Sequence, residues 1–397
     1  MNQSSETRVY NSSMPTRPSA SPIWIATQDD LLKMTDAITA EPLLAIDTES
    51  NSLYAYRERV CLVQVSTPQT DYLADPLALT DLSALGSLFA DSRRQKIFHA
   101  AEYDILCLKR DYNFTFNNIF DTMIAARILS YPQVGLGNLL SAWFGIELEK
   151  KYQRADWGKR PLPQAMLDYA RMDTHYLFDL RTRFERELKE KRLWELALED
   201  FSLVCQAVPA PADNNGGTCW KVIGGKHLSA KETAVLQALC AYRDQQAQRM
   251  GLPHFKVLSN TLLLELSHAM PRTLDELKSV SGMNDVLLKR HGTGLLRAIE
   301  EGKRAKPPAR PPRQRPEKDV LNRLKRLHEW RKTLAGSLKT ESDVVLPRVF
   351  MEHIASENPQ GLADLKELMA DIPWRYRQYG KAILSVIHRQ EEYEDSL

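Results

Sequence analysis

The chain has 397 residues, of which 43% are apolar and 26% charged, and its net charge is +2. That length and balance suit an ordinary soluble protein of two to four domains, and a charge so near zero excludes a uniformly basic nucleic-acid binder, so any phosphate contact must be local. Five scattered cysteines without a CxxC pair argue against a zinc site or a disulfide framework and fit a reducing cytoplasm, and no apolar run approaches the roughly 18 residues of a membrane span.

Residues 1–22 are rich in Ser, Asn, Thr and Pro and lack an apolar h-region, which predicts a disordered leader rather than a signal peptide. A first strand is expected at 23–26. Thr27 with Asp30 resembles a capping box ahead of an amphipathic helix over 31–38. Then comes Leu43-Leu44-Ala45-Ile46-Asp47-Thr48-Glu49, an apolar run that reads as a buried strand and ends in two carboxylates at i, i+2. Side chains alternate along a strand, so Asp47 and Glu49 share a side. Their mutual repulsion is relieved by a divalent cation between them, or is harmless if the strand simply runs out into a polar loop.

Further strands are expected at 60–66 and 72–74, then a helix over 82–89 and a short strand at 96–98. The stretch Phe98-His99-Ala100-Ala101-Glu102-Tyr103-Asp104 reads as a strand end followed by a helix, with Asp104 in the first turn, where the helix dipole alone would favour an acid. Asp121, in Phe120-Asp121-Thr122-Met123-Ile124, fits the N-cap of the next helix. The loop 154–161 is basic and aromatic, as in base-stacking, phosphate-holding loops and equally in solvated ones. In the helical pattern around 168–177, Tyr169 and Asp173 are i, i+4 and share a face. They read either as a buried structural hydrogen bond or as a metal ligand with a partner that orients water.

Residues 209–226, with Pro-Ala-Pro-Ala and paired glycines, read as a linker. Beyond it the pattern is all helical and repeats at one offset: 324 − 236 = 88 for two leucines and 380 − 292 = 88 for two glycines. Such an ungapped match marks two copies of a small helical domain, at 227–303 and 318–392. They are joined at 304–317 by a Pro-rich basic linker, expected to be an extended spacer or a phosphate strap. The second copy departs most at Ile372-Pro373-Trp374-Arg375-Tyr376-Arg377, which predicts different tasks for the two copies.

Asp47, Glu49, Asp104 and Asp173 lie in three separated stretches. Together they suit two-metal phosphodiester hydrolysis, in which Mg²⁺ or Mn²⁺ ions take oxygen ligands. The motifs IDTES, FHAAEYD and YARMD resemble the three exonuclease motifs of the DEDD superfamily of 3′-to-5′ exonucleases. Tyr-x-x-x-Asp in the third motif resembles the tyrosine subclass. VCLVQVS, FDTMIAARIL and DWGKRPL resemble the ribonuclease D family, and the helical copies resemble HRDC domains.

The resemblance implies an α/β, RNase-H-like 3′-5′ exonuclease domain over 23–208, a mixed sheet flanked by helices, followed by two small all-α HRDC domains. It implies that Asp47, Glu49, Asp104 and Asp173 hold two divalent ions, with Glu49 beside the attacking water and Tyr169 orienting it. Substrate contacts are expected at His99, Trp157, Lys159 and Arg160. The expected substrate is RNA with a free 3′ end, such as a tRNA precursor, trimmed to nucleoside 5′-monophosphates. The expected setting is a cytoplasmic monomer with no membrane partner. A DNA 3′-5′ exonuclease and a non-catalytic RNA-binding scaffold are the competing expectations. The absence of a GxxxxGK[ST] loop weighs against the first, and the intact acid set against the second.

Overall fold

The computed structural model describes residues 20–210, 218–223, 227–307 and 316–389. Most of the expected leader, parts of the 209–226 stretch, the centre of the Pro-rich basic linker and residues 390–392 lie outside the described residues. The chain divides into two compact units, one formed by 1–49, 60–209 and 315–397 and the other by 50–59 and 210–314.

The first unit is built on six strands: β1 (Ile23–Ile25), β2 (Leu43–Ser50), β3 (Val60–Ser66), β4 (Asp71–Ala74), β5 (Gln95–Phe98) and β6 (Ile119–Asp121). They lie in the order β1-β4-β3-β2-β5-β6. β1 runs parallel to β4, β2 to β5 and β5 to β6, while β3 and β4 are antiparallel. The sheet is therefore mixed, as expected. Leu44, Ala45 and Ile46 are all buried, the mark of a central strand covered on both faces. Ala45 pairs with Ile97, and Phe98 pairs with Asp121. This register gathers Asp47, His99 and Asp121 at the carboxyl ends of three parallel strands, where open α/β sheets place their ligands.

The helices of this domain are α1 (Gln28–Ala37), α2 (Ser83–Ala90), α3 (Glu102–Tyr112), α4 (Thr122–Ile128), α5 (Leu136–Phe144), α6 (Gln164–His175), α7 (Leu177–Glu190) and α8 (Trp194–Gln206). α1 starts three residues earlier than the apolar pattern predicts, because the Thr27 hydroxyl accepts the Asp30 N–H and caps the helix there. α6, the carrier of Tyr169 and Asp173, is pinned to the sheet by a buried polar network. The Arg171 guanidinium sits 2.7 Å from Asp71 on β4, and Ser66 on β3 lies 2.7 Å from both Asp71 and Thr174.

The second unit holds α9 (Thr218–Ile223), α10 (Ala230–Met250), α11 (His254–Val257), α12 (Asn260–Ala269), α13 (Leu274–Lys278) and α14 (Asp285–Arg304). The expected linker thus contains a helix. Cys219, Val222 and Ile223 bury themselves in the core of this unit, so α9 belongs to the helical module and is no spacer. Ser50–Arg59, the chain between β2 and β3, also belongs here, and the Tyr56 phenol donates to Asp244 at 2.7 Å.

The second helical copy is α15 (Lys318–Leu338), α16 (Ser342–Val345), α17 (Arg348–Glu357), α18 (Leu362–Leu368) and α19 (Pro373–His388). The repeat holds at the level of single contacts. Arg243 donates to the Leu258 carbonyl at 3.2 Å, and Arg331, 88 residues on, donates to Leu346 at 2.9 Å. Tyr242 meets His291 edge-on as Trp330 meets Tyr379.

The copies part company at position 287 + 88 = 375. There the apolar Leu287 of the first is replaced by Arg375, which is 0% exposed. Its guanidinium sits 3.0 Å from Glu199 and 2.8 Å from Asp200, both on α8, and it also donates to the Val344 carbonyl. Arg127 on α4 pairs with Glu341 and Asp343 at 2.5 Å. The departure seen in the sequence is thus a docking surface, by which the second copy is built onto the sheet domain.

Candidate active site

Asp47 and Glu49 project from the end of β2, and Asp173 reaches them from α6. One carboxylate oxygen from each lies within 4.8 Å of the other two, the only such group among the described residues. Asp104, 6% exposed near the start of α3, stands beside this trio. It is held by Thr48, the residue between the two β2 acids, whose hydroxyl donates to Asp104 Oδ1 at 2.5 Å. Gln64 on β3 donates from Nε2 to Asp47 Oδ2 at 3.2 Å, while its buried Oε1 has no hydrogen-bond partner among the described residues.

Withdrawal from water and mutual repulsion raise all four carboxyls. Asp47 is pushed well up by burial and then by Asp173, and Glu49 by burial and then by Asp47, Asp173 and Asp104. Asp104 is raised by burial and by Asp47, against the Thr48 hydrogen bond. Asp173 is pushed up to about 7 by burial and then by Asp104, with Tyr169 acting in the opposite direction. Four oxygen donors, one buried and three half-buried, that repel one another are the environment a hard divalent cation relieves. The donor set contains no His or Cys, so the residues fit the divalent metals that a DEDD-type site implies.

Tyr169 lies one turn before Asp173. Burial, and then the charges of Asp173, Glu49 and Asp47, push its phenol further above the usual range, so near neutral pH it is a hydrogen-bond donor and no base. Its ring packs between those of Tyr152 and Trp157, at 5.7 and 6.2 Å.

The expected substrate contacts fare unevenly. Trp157 is 1% exposed and packed with Cys61, Leu62, Leu73 and Met166. It therefore offers no face to a base, and its indole supports Tyr169 instead. Arg160 donates to both oxygens of Asp75 and to the carbonyls of Cys61, Trp157 and Lys159, so it braces the loop and is not placed to clamp phosphate. Lys159 is exposed, 3.9 Å from Asp156. His99 Nδ1 lies 2.9 Å from the Thr122 hydroxyl, whose proton goes to the Phe98 carbonyl, so Nδ1 donates and Nε2 is left as an acceptor. Burial lowers the pKa of this imidazole.

Sequence reasoning missed Thr48 and Gln64. Gln64 does leave a trace, as the one amide in the otherwise apolar run VCLVQ. Asp121 is an N-cap as expected, its carboxylate accepting the Met123 and Ile124 N–H groups.

The model of a 3′-5′ exonuclease family matches residues 22–189, and that of the HRDC domain matches 232–299 and 320–387, again 88 residues apart. The chain is 30% identical over 373 residues to ribonuclease D of Gluconacetobacter diazotrophicus, covering 92% of both proteins. The chain belongs to the ribonuclease D family of 3′-5′ exoribonucleases. It is also 31% identical over 287 residues to an exosome complex component 10 homolog of Caenorhabditis elegans. It spans only about a third of the length of that relative, which matches 71% of this chain. Escherichia coli RNase D, whose structure is described as that of an exoribonuclease involved in structured RNA processing, superposes with a TM-score of 0.67 at 23% identity. The superposition takes in 94% of this chain and 100% of that one, and it bears on the fold shared across the ribonuclease D family. No helix among the described residues is long and apolar enough to cross a membrane.

Proposed function

We propose that this chain is a cytoplasmic, monomeric 3′-to-5′ exoribonuclease. It trims structured RNA such as tRNA precursors from a free 3′ hydroxyl and releases nucleoside 5′-monophosphates. The observation that carries the reading is the convergence of Asp47, Glu49 and Asp173 within 4.8 Å, with Asp104 beside them and the Tyr169 phenol one helical turn away.

Asp47, Glu49, Asp104 and Asp173 would hold two divalent ions, Mg²⁺ or Mn²⁺. When bound, such ions make water acidic enough to attack near neutral pH and neutralise charge on the phosphate. The chain's own groups do the rest. Glu49, crowded by three other carboxyls, would accept a hydrogen bond from the attacking water. The Tyr169 O–H orients that water or a phosphate oxygen as a donor. Thr48 and Gln64 keep Asp104 and Asp47 in fixed directions, as pre-organised ligands require.

The test is a time course on 3′-extended tRNA, matched single-stranded DNA, blunt duplex RNA and circular RNA, with and without EDTA. Stepwise loss of 5′-monophosphates from the tRNA alone, abolished by EDTA, is the expected result. Equal turnover of DNA would replace the substrate assignment, and cleavage of the circle would replace exonuclease by endonuclease.

A further inference from the structure

Asp121 does more than cap its own helix. It is 1% exposed, and its carboxylate accepts four backbone N–H groups. Oδ1 takes those of Met123 at 2.8 Å and Ile124 at 3.1 Å, the ordinary N-cap bonds of α4. It also takes the Ala100 N–H at 3.1 Å, and Oδ2 takes the Ala101 N–H at 2.7 Å. Ala101 is the N-cap residue of α3, and its methyl side chain can cap nothing. Ala100 before it sits at φ +67°, a left-handed conformation that side chains disfavour. The turn from β5 into α3 is thus strained and uncapped on its own, and the carboxylate of the next strand holds it. The register allows this, since Asp121 lies directly opposite Phe98. Three residues beyond Ala101, the same helix presents Asp104.

We infer that Asp121 is a positioning residue for the reaction: it sets the start of α3, and through it the place of Asp104 among the metal-holding acids. The inference rests on the reading of Asp104 as a metal ligand given above. The two oxygens divide the labour. Asp121→Asn can keep a carbonyl oxygen toward Ala100, Met123 and Ile124, and asparagine is as good an N-cap as aspartate. Its amide nitrogen then faces the Ala101 N–H, donor against donor. The substitution therefore separates capping of α4 from the hold on α3.

The experiment compares Asp121→Asn, Asp121→Ser, Asp104→Asn and Thr27→Ala in the full chain. It measures Mn²⁺ binding by calorimetry, kcat and KM on a short RNA with a free 3′ hydroxyl, and thermal melting. A displacement of about 1 Å in a reacting group can cost about a hundredfold in rate. Asp121→Asn and Asp121→Ser are accordingly expected to weaken Mn²⁺ binding and lower kcat about 10- to 100-fold, with KM little changed. Thr27→Ala, which removes the cap of α1, a helix that carries none of the acids, should lower the melting temperature and leave both unchanged. Asp104→Asn separates the two ideas. If it binds Mn²⁺ and turns over normally, the reading of the acids fails. If it is inert while both Asp121 variants match the wild type in Mn²⁺ binding and kcat, the positioning role is overturned. Asp121→Ser, which retains a capping hydroxyl too short to reach Ala101, answers the question should the asparagine variant not fold.

Discussion

The hydroxyl of Thr48 donates to the carboxylate of Asp104 at 2.5 Å, so the strand that carries two of the acids also orients the third. Thr48→Val keeps the shape and removes the donor. A hydrogen bond to a charged group is worth about 1.5–3 kcal/mol, and about 1.4 kcal/mol is tenfold in rate. Turnover should fall about 10- to 100-fold and recover in part at high Mn²⁺. A Mn²⁺ titration of the initial rate, with circular dichroism as the check on folding, decides this.

Removing a ligand should abolish activity and, without metal, strengthen the fold. Asp47→Asn and Asp173→Asn each delete one of several crowded, half-buried charges that repel one another. In EDTA at pH 8 each variant should melt above the wild type, and in Mg²⁺ below it, because the wild type alone gains from the metal. A variant that keeps full activity would remove that residue from the site.

The four raised carboxyls also set a pH dependence. In the metal-free protein they hold protons more tightly when folded than when unfolded. The contribution of these four groups to stability is then fully present below the unfolded carboxylate range of about 4. It falls as pH climbs through that range and on through the folded value of Asp173, about 7. Divalent metal cancels the repulsion, so the rise in melting temperature on adding Mg²⁺ should be small at pH 5 and large at pH 8. Equal increments at the two pH values would show that the acids are not the metal site.

The second helical copy is bound to the nuclease domain by a buried charge. Breaking a buried ion pair by deleting one partner costs about 3–5 kcal/mol. Arg375→Ala should therefore destabilise the nuclease domain by about that much and leave the buried Glu199 and half-buried Asp200 without their cation, whereas Glu199→Gln and Asp200→Asn combined with Arg375→Met should recover most of the loss. Urea melts followed at the nuclease-domain tryptophans measure both. A truncation ending at residue 314, which removes the second copy and leaves the first, should suffer like Arg375→Ala.

Trp157 and Lys159, neighbours in one loop, should behave in opposite ways. Trp157→Ala opens a cavity beneath Tyr169 and should cost about 3–5 kcal/mol of stability. Lys159→Ala should leave stability alone and, if the lysine meets phosphate, lower the salt dependence of RNA binding by about one counterion. Melting curves and binding isotherms at two salt concentrations distinguish them.

Much of this was legible in the chain because it rests on local pattern. The apolar run into Asp47 and Glu49 announced a strand end, the i, i+4 spacing of Tyr169 and Asp173 announced one helical face, and the constant offset of 88 announced a repeated module. What escaped depends on partners distant in sequence. Thr48 meets Asp104 across 56 positions and Arg375 meets Glu199 across 176, and neither pairing leaves a periodic signal. The loop 154–161 misled because aromatic and basic residues look alike in a binding loop and in one whose tryptophan has turned inward. The helix Thr218–Ile223 was hidden by the prolines and glycines that flank it.

The span between Glu199 and Arg375 has a consequence in time. A ribosome adds roughly 5–20 residues per second, so the 176 positions that separate the two residues take on the order of 10–35 s to make. Every acid of the site has been synthesised by Asp173, well before that interval ends. Through it, α8 carries Glu199 and Asp200 without their cation, and for most of it α4 carries Arg127 without its acids. The nuclease domain is thus born before the surface it will rest on, and a nascent chain passes through a stage in which its cutting residues are complete and its scaffold is not.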